Sequence, residues 1–96
     1  MFELGKKKGT VRFVMAPSRK AARVAVAGDF NGWEPLPMRR QDDGTYVRVV
    51  PIARDCFEYK FIVEDEWVTD PDNSQWAMNR FHTFNSVGRL PDRPRA

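Results

Sequence analysis

Two tryptophans and one lysine, each close to a predicted turn, are the residues of this sequence best suited to contact a ligand. Trp33 ends the segment V-A-V-A-G-D-F-N-G-W, in which Asn-Gly is typical of a tight turn. Lys60 lies on the alternating strand of F-E-Y-K-F-I-V-E-D-E-W, and Trp67 follows the turn after this strand. Because the three side chains lie beside turns rather than inside apolar runs, they indicate a docking surface rather than a core.

The chemistry of these side chains suits an amphipathic ring such as a pyranose. An indole has a wide apolar face and a polar edge, and a pyranose has C–H groups on its faces and hydroxyls at its rim. Lys60, together with Asn85 in the last predicted strand, would supply hydrogen-bond donors and an acceptor to those hydroxyls. Two indoles set at an angle would cradle a curved chain of glucose units.

Each of these residues also has a purely structural interpretation. Trp33 would equally well cap one end of the core, because Trp is large and is rarely buried completely. A strand lysine such as Lys60 is commonly just solvated, and a single asparagine such as Asn85 carries little information by itself. The four residues taken together favour a binding surface more strongly than any one of them.

The elements that must position these residues are short strands separated by turns. In the segment Phe57–Val63, alternation directs Phe57, Tyr59 and Phe61 inward and Lys60 outward. No segment shows a convincing apolar period of an amphipathic helix. The pattern predicts an all-β fold, an antiparallel β-sandwich. The predicted strands cover residues 10–15, 23–27, 45–50, 57–63, 67–69 and 83–90.

One long connection, residues 72–82, is left outside the predicted strands. It contains Trp76, Met78 and Phe81, so we expect it to pack or to bind rather than to stay free of the surface. The chain of 96 residues is long enough for one domain. Its expected parts are a basic N-terminal arm (1–9), the sandwich (10–90) and a C-terminal tail (91–96).

Composition favours a cytoplasmic location for this domain. A single cysteine leaves no intramolecular disulfide and fits a reducing compartment. No apolar run is as long as a membrane span, and the basic N-terminus lacks the apolar segment of a secretory signal. The sequence therefore predicts no contact with a membrane.

The net charge of +3 is unevenly distributed along the chain. A basic N-terminal segment and tail would suit a polyanion, but a solvated surface with basic termini is the favoured explanation. Acidic residues surround both Trp33 and Trp67, and carboxylates repel phosphate, which argues against nucleic-acid stacking on these rings. The basic residues in question are Lys6, Lys7, Lys8, Arg12, Arg19, Lys20, Arg23, Arg89, Arg93 and Arg95.

Catalysis and metal binding find little support in the sequence. Glycoside hydrolysis requires two carboxylates across a cleft, whereas the acids here cluster in one turn region, residues 64–72. The segment Asp70-Pro71-Asp72-Asn73 lacks the glycine and the distal glutamate of a calcium loop. We therefore expect a protein that is not an enzyme and that needs no cofactor.

Four motifs in a fixed order resemble the glycogen-binding domain family. They are V-A-V-A-G-D-F-N-G-W, E-Y-K-F-I-V, W-V-T-D-P and N-R-F-H-T-F-N-S-V, and together they span residues 24–87. The family includes the β-subunit module of AMP-activated protein kinase and the N-terminal early-set domain of isoamylases and branching enzymes. The resemblance implies an immunoglobulin-like (early-set) β-sandwich that binds α-1,4-linked glucan.

Roles for individual residues also follow from the resemblance. It implies that Trp33 and Trp67 are stacking platforms and that Lys60 and Asn85 are partners of sugar hydroxyls. Whether the sandwich binds glucan or has become a protein-interaction module depends on the two indoles. A binding domain should expose both of them on one face with Lys60, and a purely structural one should bury at least one.

A closing loop provides the two remaining contacts that the resemblance implies. Phe81 matches an apolar position on the loop over the sugar, and Thr83 lies near another contact. Two departures affect the local shape: residues 64–66 replace the usual Asp-Gly turn before the second Trp, and Arg80, His82 and Thr83 stand where relatives have glycines. Such a module would bind glycogen or starch-like chains, target a separate glycogen-metabolising enzyme or regulatory protein, or act as a small adaptor.

Overall fold

Two antiparallel sheets pack around one core in the computed structural model, which describes residues 1–17 and 23–90. Within these ranges all regular structure is strand, and no helix could cross a lipid bilayer. The ten strands are β1 (Phe2–Leu4), β2 (Thr10–Met15), β3 (Val24–Gly28), β4 (Leu36–Pro37), β5 (Arg39–Arg40), β6 (Tyr46–Pro51), β7 (Cys56–Val63), β8 (Glu66–Val68), β9 (Trp76–Met78) and β10 (Phe84–Arg89).

The strand order defines a sandwich. One sheet has the order β1-β2-β6-β5, and the other has the order β4-β3-β7-β10-β9, with β8 paired to β7. Every pairing is antiparallel. The predicted all-β sandwich is thereby confirmed. The predicted tail, residues 91–96, lies outside the described residues, as do four of the basic residues noted above: Arg19, Lys20, Arg93 and Arg95.

The core consists of the inward faces of the two sheets. The alternation predicted for β7 is confirmed, since Phe57, Tyr59 and Phe61 are all buried. From the opposite sheet, Phe13 of β2 contacts Tyr59, with 5.1 Å between the ring centroids. Because alternate residues of a strand face opposite sides, Lys60 is directed to the outer face of the second sheet.

Four of the ten strands were not predicted from the sequence: β1, β4, β5 and β9. Each has only two or three residues, which is too short for a period of two to be recognised. β1 lies inside the segment predicted as a basic arm, and Phe2 packs edge-on against Phe57 at 5.5 Å. β9 lies inside the predicted long connection and pairs with β10, so this connection packs, as expected.

A buried polar cluster holds the segment after β8 against the second sheet. Tyr59 Oη donates a hydrogen bond to Asp70 Oδ2 at 2.6 Å, and the backbone N–H of Asp70 donates to Ser86 Oγ at 2.7 Å. Burial, reinforced by the hydrogen bond to the Asp70 carboxylate, raises the pKa of Tyr59 above its ordinary range. The phenol therefore remains a donor, and the chain leaving Trp67 is attached to both β7 and β10.

A glycine on β10 leaves room for a core ring of β7. Gly88 pairs with Phe57, and a Cβ at position 88 would lie 2.4 Å from the ring Cζ. Phe57 is fully buried, so its ring has little freedom to move aside. The glycine therefore allows the Phe57 ring to pack over β10, the strand that contains Asn85.

We expect Gly88→Ala to destabilise the domain by about 1–3 kcal/mol, because overpacking forces ring and backbone shifts. In thermal unfolding this corresponds to a loss of about 4–8 °C in Tm per kcal/mol. Repeating the substitution in a Phe57→Leu background, which removes the clashing ring atoms, should make it less harmful. Equal losses in both backgrounds would contradict this account of the β7–β10 contact.

Candidate functional site

The loop after β3 holds Trp33 in an unusual backbone conformation. The N–H groups of Asn31 and Trp33 both donate to the carbonyl of Gly28, at 3.2 and 2.8 Å. Gly32 and Trp33 have φ angles of +70° and +64°. Such angles are uncommon for a bulky residue, and backbone strain of this kind tends to persist at functional sites. Phe30 stacks on Phe13 of the core and anchors the loop, while Trp33 is partly buried.

The hairpin between β7 and β8 positions Trp67. Val63 pairs with Glu66 and Ile62 with Trp67, so Glu64 and Asp65 form a two-residue turn. Both turn residues have positive φ, +50° and +69°, the pattern of a type I′ turn. The departure from Asp-Gly therefore leaves the hairpin intact. Trp67 projects on the same outer face as Ile62 and is 45% exposed.

A hydrogen bond from outside the hairpin helps to hold Glu64 in this unfavourable conformation. The backbone N–H of Arg23 donates to Glu64 Oε1 at 3.1 Å, and the backbone N–H of Glu64 donates to the Arg23 carbonyl, also at 3.1 Å. Arg23 immediately precedes β3, the neighbour of β7 on the other side. The turn thus obtains support that the hairpin sequence alone does not contain.

Asn79 organises the loop between β9 and β10. Its Oδ1 accepts hydrogen bonds from the backbone N–H groups of Phe81 and Thr83, at 2.9 and 3.2 Å. Its Nδ2 donates to Thr83 Oγ1 at 2.6 Å and to Asn85 Oδ1 at 3.0 Å. His82 adopts a φ of +62°, the left-handed conformation that a glycine would adopt more readily. The loop therefore forms although it lacks the glycines that relatives have at these positions, and the hydrogen bonds of the Asn79 side chain define its shape.

A continuous chain of hydrogen bonds runs across the outer face of β7 and β10. Asn85 Nδ2 donates to Glu58 Oε1 at 3.0 Å, and Lys60 Nζ donates to Thr83 Oγ1 at 3.2 Å. Asn79 joins these two pairs through its Nδ2. Asn85 is only 6% exposed, so most of its amide is engaged within the protein. One Nδ2–H group and one Oδ1 lone pair of this amide are not used in these hydrogen bonds.

These elements surround one concavity with a volume of about 720 Å³, which we call the first concavity. All six residues proposed from the sequence line it: Trp33, Lys60, Trp67, Phe81, Thr83 and Asn85. The two indoles therefore lie on one face of the domain with Lys60. Phe81 is 71% exposed and stands at the rim of the concavity, with the guanidinium of Arg80 5.0 Å from the centre of its ring.

Two further lining residues were missed by the sequence analysis, Asn79 and Arg80. Asn79 begins the N-R-F-H-T-F-N-S-V motif, and an asparagine at a loop start commonly bonds to the backbone two residues ahead. That tendency was the available signal for Asn79. For Arg80 the sequence contains no comparable signal, because its position depends on the loop shape.

The chemical character of the first concavity is aromatic and rich in donors. Among the described residues that line it, the polar groups are an ammonium, a guanidinium, two amides and a hydroxyl. Across residues 1–17 and 23–90, no three His, Cys, Asp or Glu side chains are grouped so that they could hold a metal ion. The arrangement offers flat apolar faces with hydrogen-bond donors between them, which suits a neutral ligand with several hydroxyls.

The fold and this concavity define a class, a β-sandwich with an aromatic concavity on one face. The family described as the glycogen recognition site of AMP-activated protein kinase matches residues 11–90. The chain belongs to this family, which confirms the resemblance noted in the sequence.

Two kinds of relatives share part of this chain. Over 56 residues (55% of the chain), it is 48% identical to a 1,4-alpha-glucan branching enzyme, GlgB 2, of Xanthomonas campestris pv. campestris. Over 64 residues (67% of the chain), it is 33% identical to 5'-AMP-activated protein kinase subunit beta-1 of Sus scrofa and 28% identical to that of Homo sapiens. The similarity spans 7% of the branching enzyme and 51% and 23% of the two kinase subunits.

The role of Asn79 can be tested by amide hydrogen exchange. We expect Asn79→Ala to speed exchange at Phe81 and Thr83 by about fivefold, since each N–H loses a hydrogen bond of about 1 kcal/mol. Asn79→Asp is the matched control: it retains the oxygen acceptor for both N–H groups and loses only the donor to Thr83 and Asn85. Unchanged exchange in Asn79→Ala would show that the loop is held by other contacts.

Proposed function

We propose that this domain binds α-1,4-linked glucan, such as glycogen or starch-like chains, without catalysing a reaction. The observation that supports this function is the convergence of Trp33, Trp67 and Lys60 on one concavity. Trp67 is 45% exposed, whereas Trp33 is partly buried, which is less than the exposure of both indoles expected of a binding domain. Neither indole is buried in the core, however, as a purely structural domain would require of at least one.

The indoles would supply most of the binding free energy. Their faces present apolar area to the C–H groups of the sugar rings, and an angled pair of platforms suits a glucan that curves. The concavity is open, so few hydroxyls would be fully desolvated and the polymer would lose freedom on binding. We therefore expect modest affinity for a single short chain and a larger apparent affinity for a branched polymer that offers many chain ends.

The hydrogen-bond network would fix the direction in which Thr83 offers its hydroxyl proton. Its Oγ1 already accepts from Asn79 Nδ2 and from Lys60 Nζ, so both lone pairs are occupied. The O–H bond is then available as a donor to a ligand oxygen. Lys60 has three N–H groups and uses one on Thr83, which leaves donors for a sugar hydroxyl through the stronger, charge-assisted kind of bond.

The wider role of such a domain would be targeting. The relatives are a branching enzyme and a protein kinase subunit, and in both the matched region is a fraction of the protein. By analogy, this domain would bring a separate glycogen-metabolising enzyme or a regulatory protein to the polysaccharide. We place this role in the cytoplasm, in keeping with the single cysteine of the chain.

Glucan binding can be tested by native electrophoresis through a gel that contains glycogen. Wild-type protein should be retarded, and Trp67→Ala and Trp33→Ala should each lose about 1–3 kcal/mol of binding free energy, by analogy with base–aromatic stacking. Met78→Ala is a suitable control, because Met78 is exposed and lies outside the first concavity. Free migration of the folded wild-type protein would rule out the proposed function.

Salt dependence separates glucan binding from polyanion binding through the basic N-terminal segment. A neutral polysaccharide releases no counterions, so we expect the dissociation constant for β-cyclodextrin to stay nearly constant between about 50 and 200 mM salt. Isothermal titration calorimetry at several salt concentrations would measure it. A steep loss of affinity for this neutral sugar with salt would contradict binding by stacking on the indoles, whereas binding of a polyanion to the basic segment should show such a loss.

A further inference from the structure

A second concavity, of about 370 Å³, adjoins the first one. Trp67, Lys60 and Thr83 line both of them, so the two share a boundary. On its far side the second concavity is lined by two more exposed aromatic residues, Trp76 and Phe84. Neither of these two rings lines the first concavity.

The second concavity arises from the way in which two strands share one edge of β7. β10 pairs with β7 only from Cys56 to Tyr59, and β8 pairs with it only from Phe61 to Val63. Lys60 lies between the two pairings. β8 and β10 therefore diverge beyond this point, and residues from both sides of the gap line the second concavity.

Trp76 is exposed but held in a fixed orientation. Its Nε1–H donates to the carbonyl of Asn73 at 3.2 Å, and its ring lies against Phe84, with 5.7 Å between the centroids and 40° between the planes. Asn73 is itself attached to the sheet, because its Nδ2 donates to Tyr59 Oη at 3.0 Å and to the Val87 carbonyl at 2.9 Å. An indole that is 57% exposed is thus oriented in advance of any ligand.

A pre-oriented aromatic face is suited to stacking. Its N–H already has a partner, so a ligand would meet the apolar ring without having to satisfy a polar group. Little side-chain entropy remains to be lost on binding, which favours affinity. Lys60 and Thr83 lie at the boundary and offer donors to a ligand that runs from one concavity into the other.

We propose that the second concavity is an extension subsite, in which Trp76, supported by Phe84, stacks with further glucosyl units of a chain held between Trp33 and Trp67. This inference rests on the proposed glucan binding and adds a length preference to it. A chain that reaches past Trp67 gains a third platform. A short chain or a closed ring that fills only the first concavity does not.

The test is calorimetric titration with maltotetraose, β-cyclodextrin and maltodecaose. For the wild-type protein we expect maltodecaose to bind about tenfold more tightly than maltotetraose, the gain of one stacked ring. Trp76→Ala should remove this gain and leave the affinity for β-cyclodextrin unchanged. Trp76→Leu, which retains an apolar contact with Phe84 but has no flat face, should behave as Trp76→Ala does. Val49→Ala, at an exposed position of β6 in the other sheet, should behave as the wild type does.

The outcomes separate the two proposals. If the folded wild-type protein binds none of the three sugars, the proposed function is wrong, and the extension subsite with it. If it binds β-cyclodextrin but Trp76→Ala binds maltodecaose as tightly as the wild type does, only the extension subsite is wrong. Equal weakening of all three sugars by Trp76→Ala would also overturn the extension subsite. So would a wild-type protein that shows no length preference and that self-associates through Trp76, as measured by sedimentation.

Discussion

The pairing register of β7 is the constraint on which the site depends. β7 places aromatic rings in the core at alternate positions and Lys60 on the outer face. Its neighbours bring the other parts of the site: Trp33 follows β3, Trp67 lies on β8, and Asn85 lies on β10. A slip of one residue in any of these pairings would turn the corresponding side chain to the opposite face. Buried residues of the neighbouring strands, such as Val26 of β3, oppose such a slip, since it would expose them to water.

Backbone strain accompanies this arrangement at three places around the site. Trp33, the turn Glu64-Asp65 and His82 all have left-handed backbone conformations without being glycines. Each conformation is supported by a hydrogen bond nearby. The carbonyl of Gly28 accepts from Trp33, and the backbone of Arg23 bonds to Glu64. The side chain of Asn79 accepts from the backbone of the loop that contains His82. The conformations that L-residues adopt reluctantly are thus found where aromatic residues and donors must project into a shared space.

Much of the fold and of the candidate site could be predicted from the sequence, and the exceptions have physical causes. The alternation of Phe57–Val63 is long and regular, so its buried face could be assigned correctly. β9 could not be found, because three residues show no clear period and its pairing comes from β10. Asn85 was expected as a partner of sugar hydroxyls, but the burial of its amide against Glu58 and Asn79 depends on strand register. Trp76 was noticed only as an aromatic residue in a connection.

The sequence by itself determined the fold class, the family and the residue types available for binding, because short-range alternation, turn residues and ordered motifs are local properties of the chain. Only the tertiary structure decided that Trp33, separated in sequence from Trp67, shares a concavity with it. It also decided that β8 and β10 diverge and leave Trp76 facing the gap between them. The reason is that β7 pairs with different strands along one edge, and such long-range pairing has no signature within any single segment.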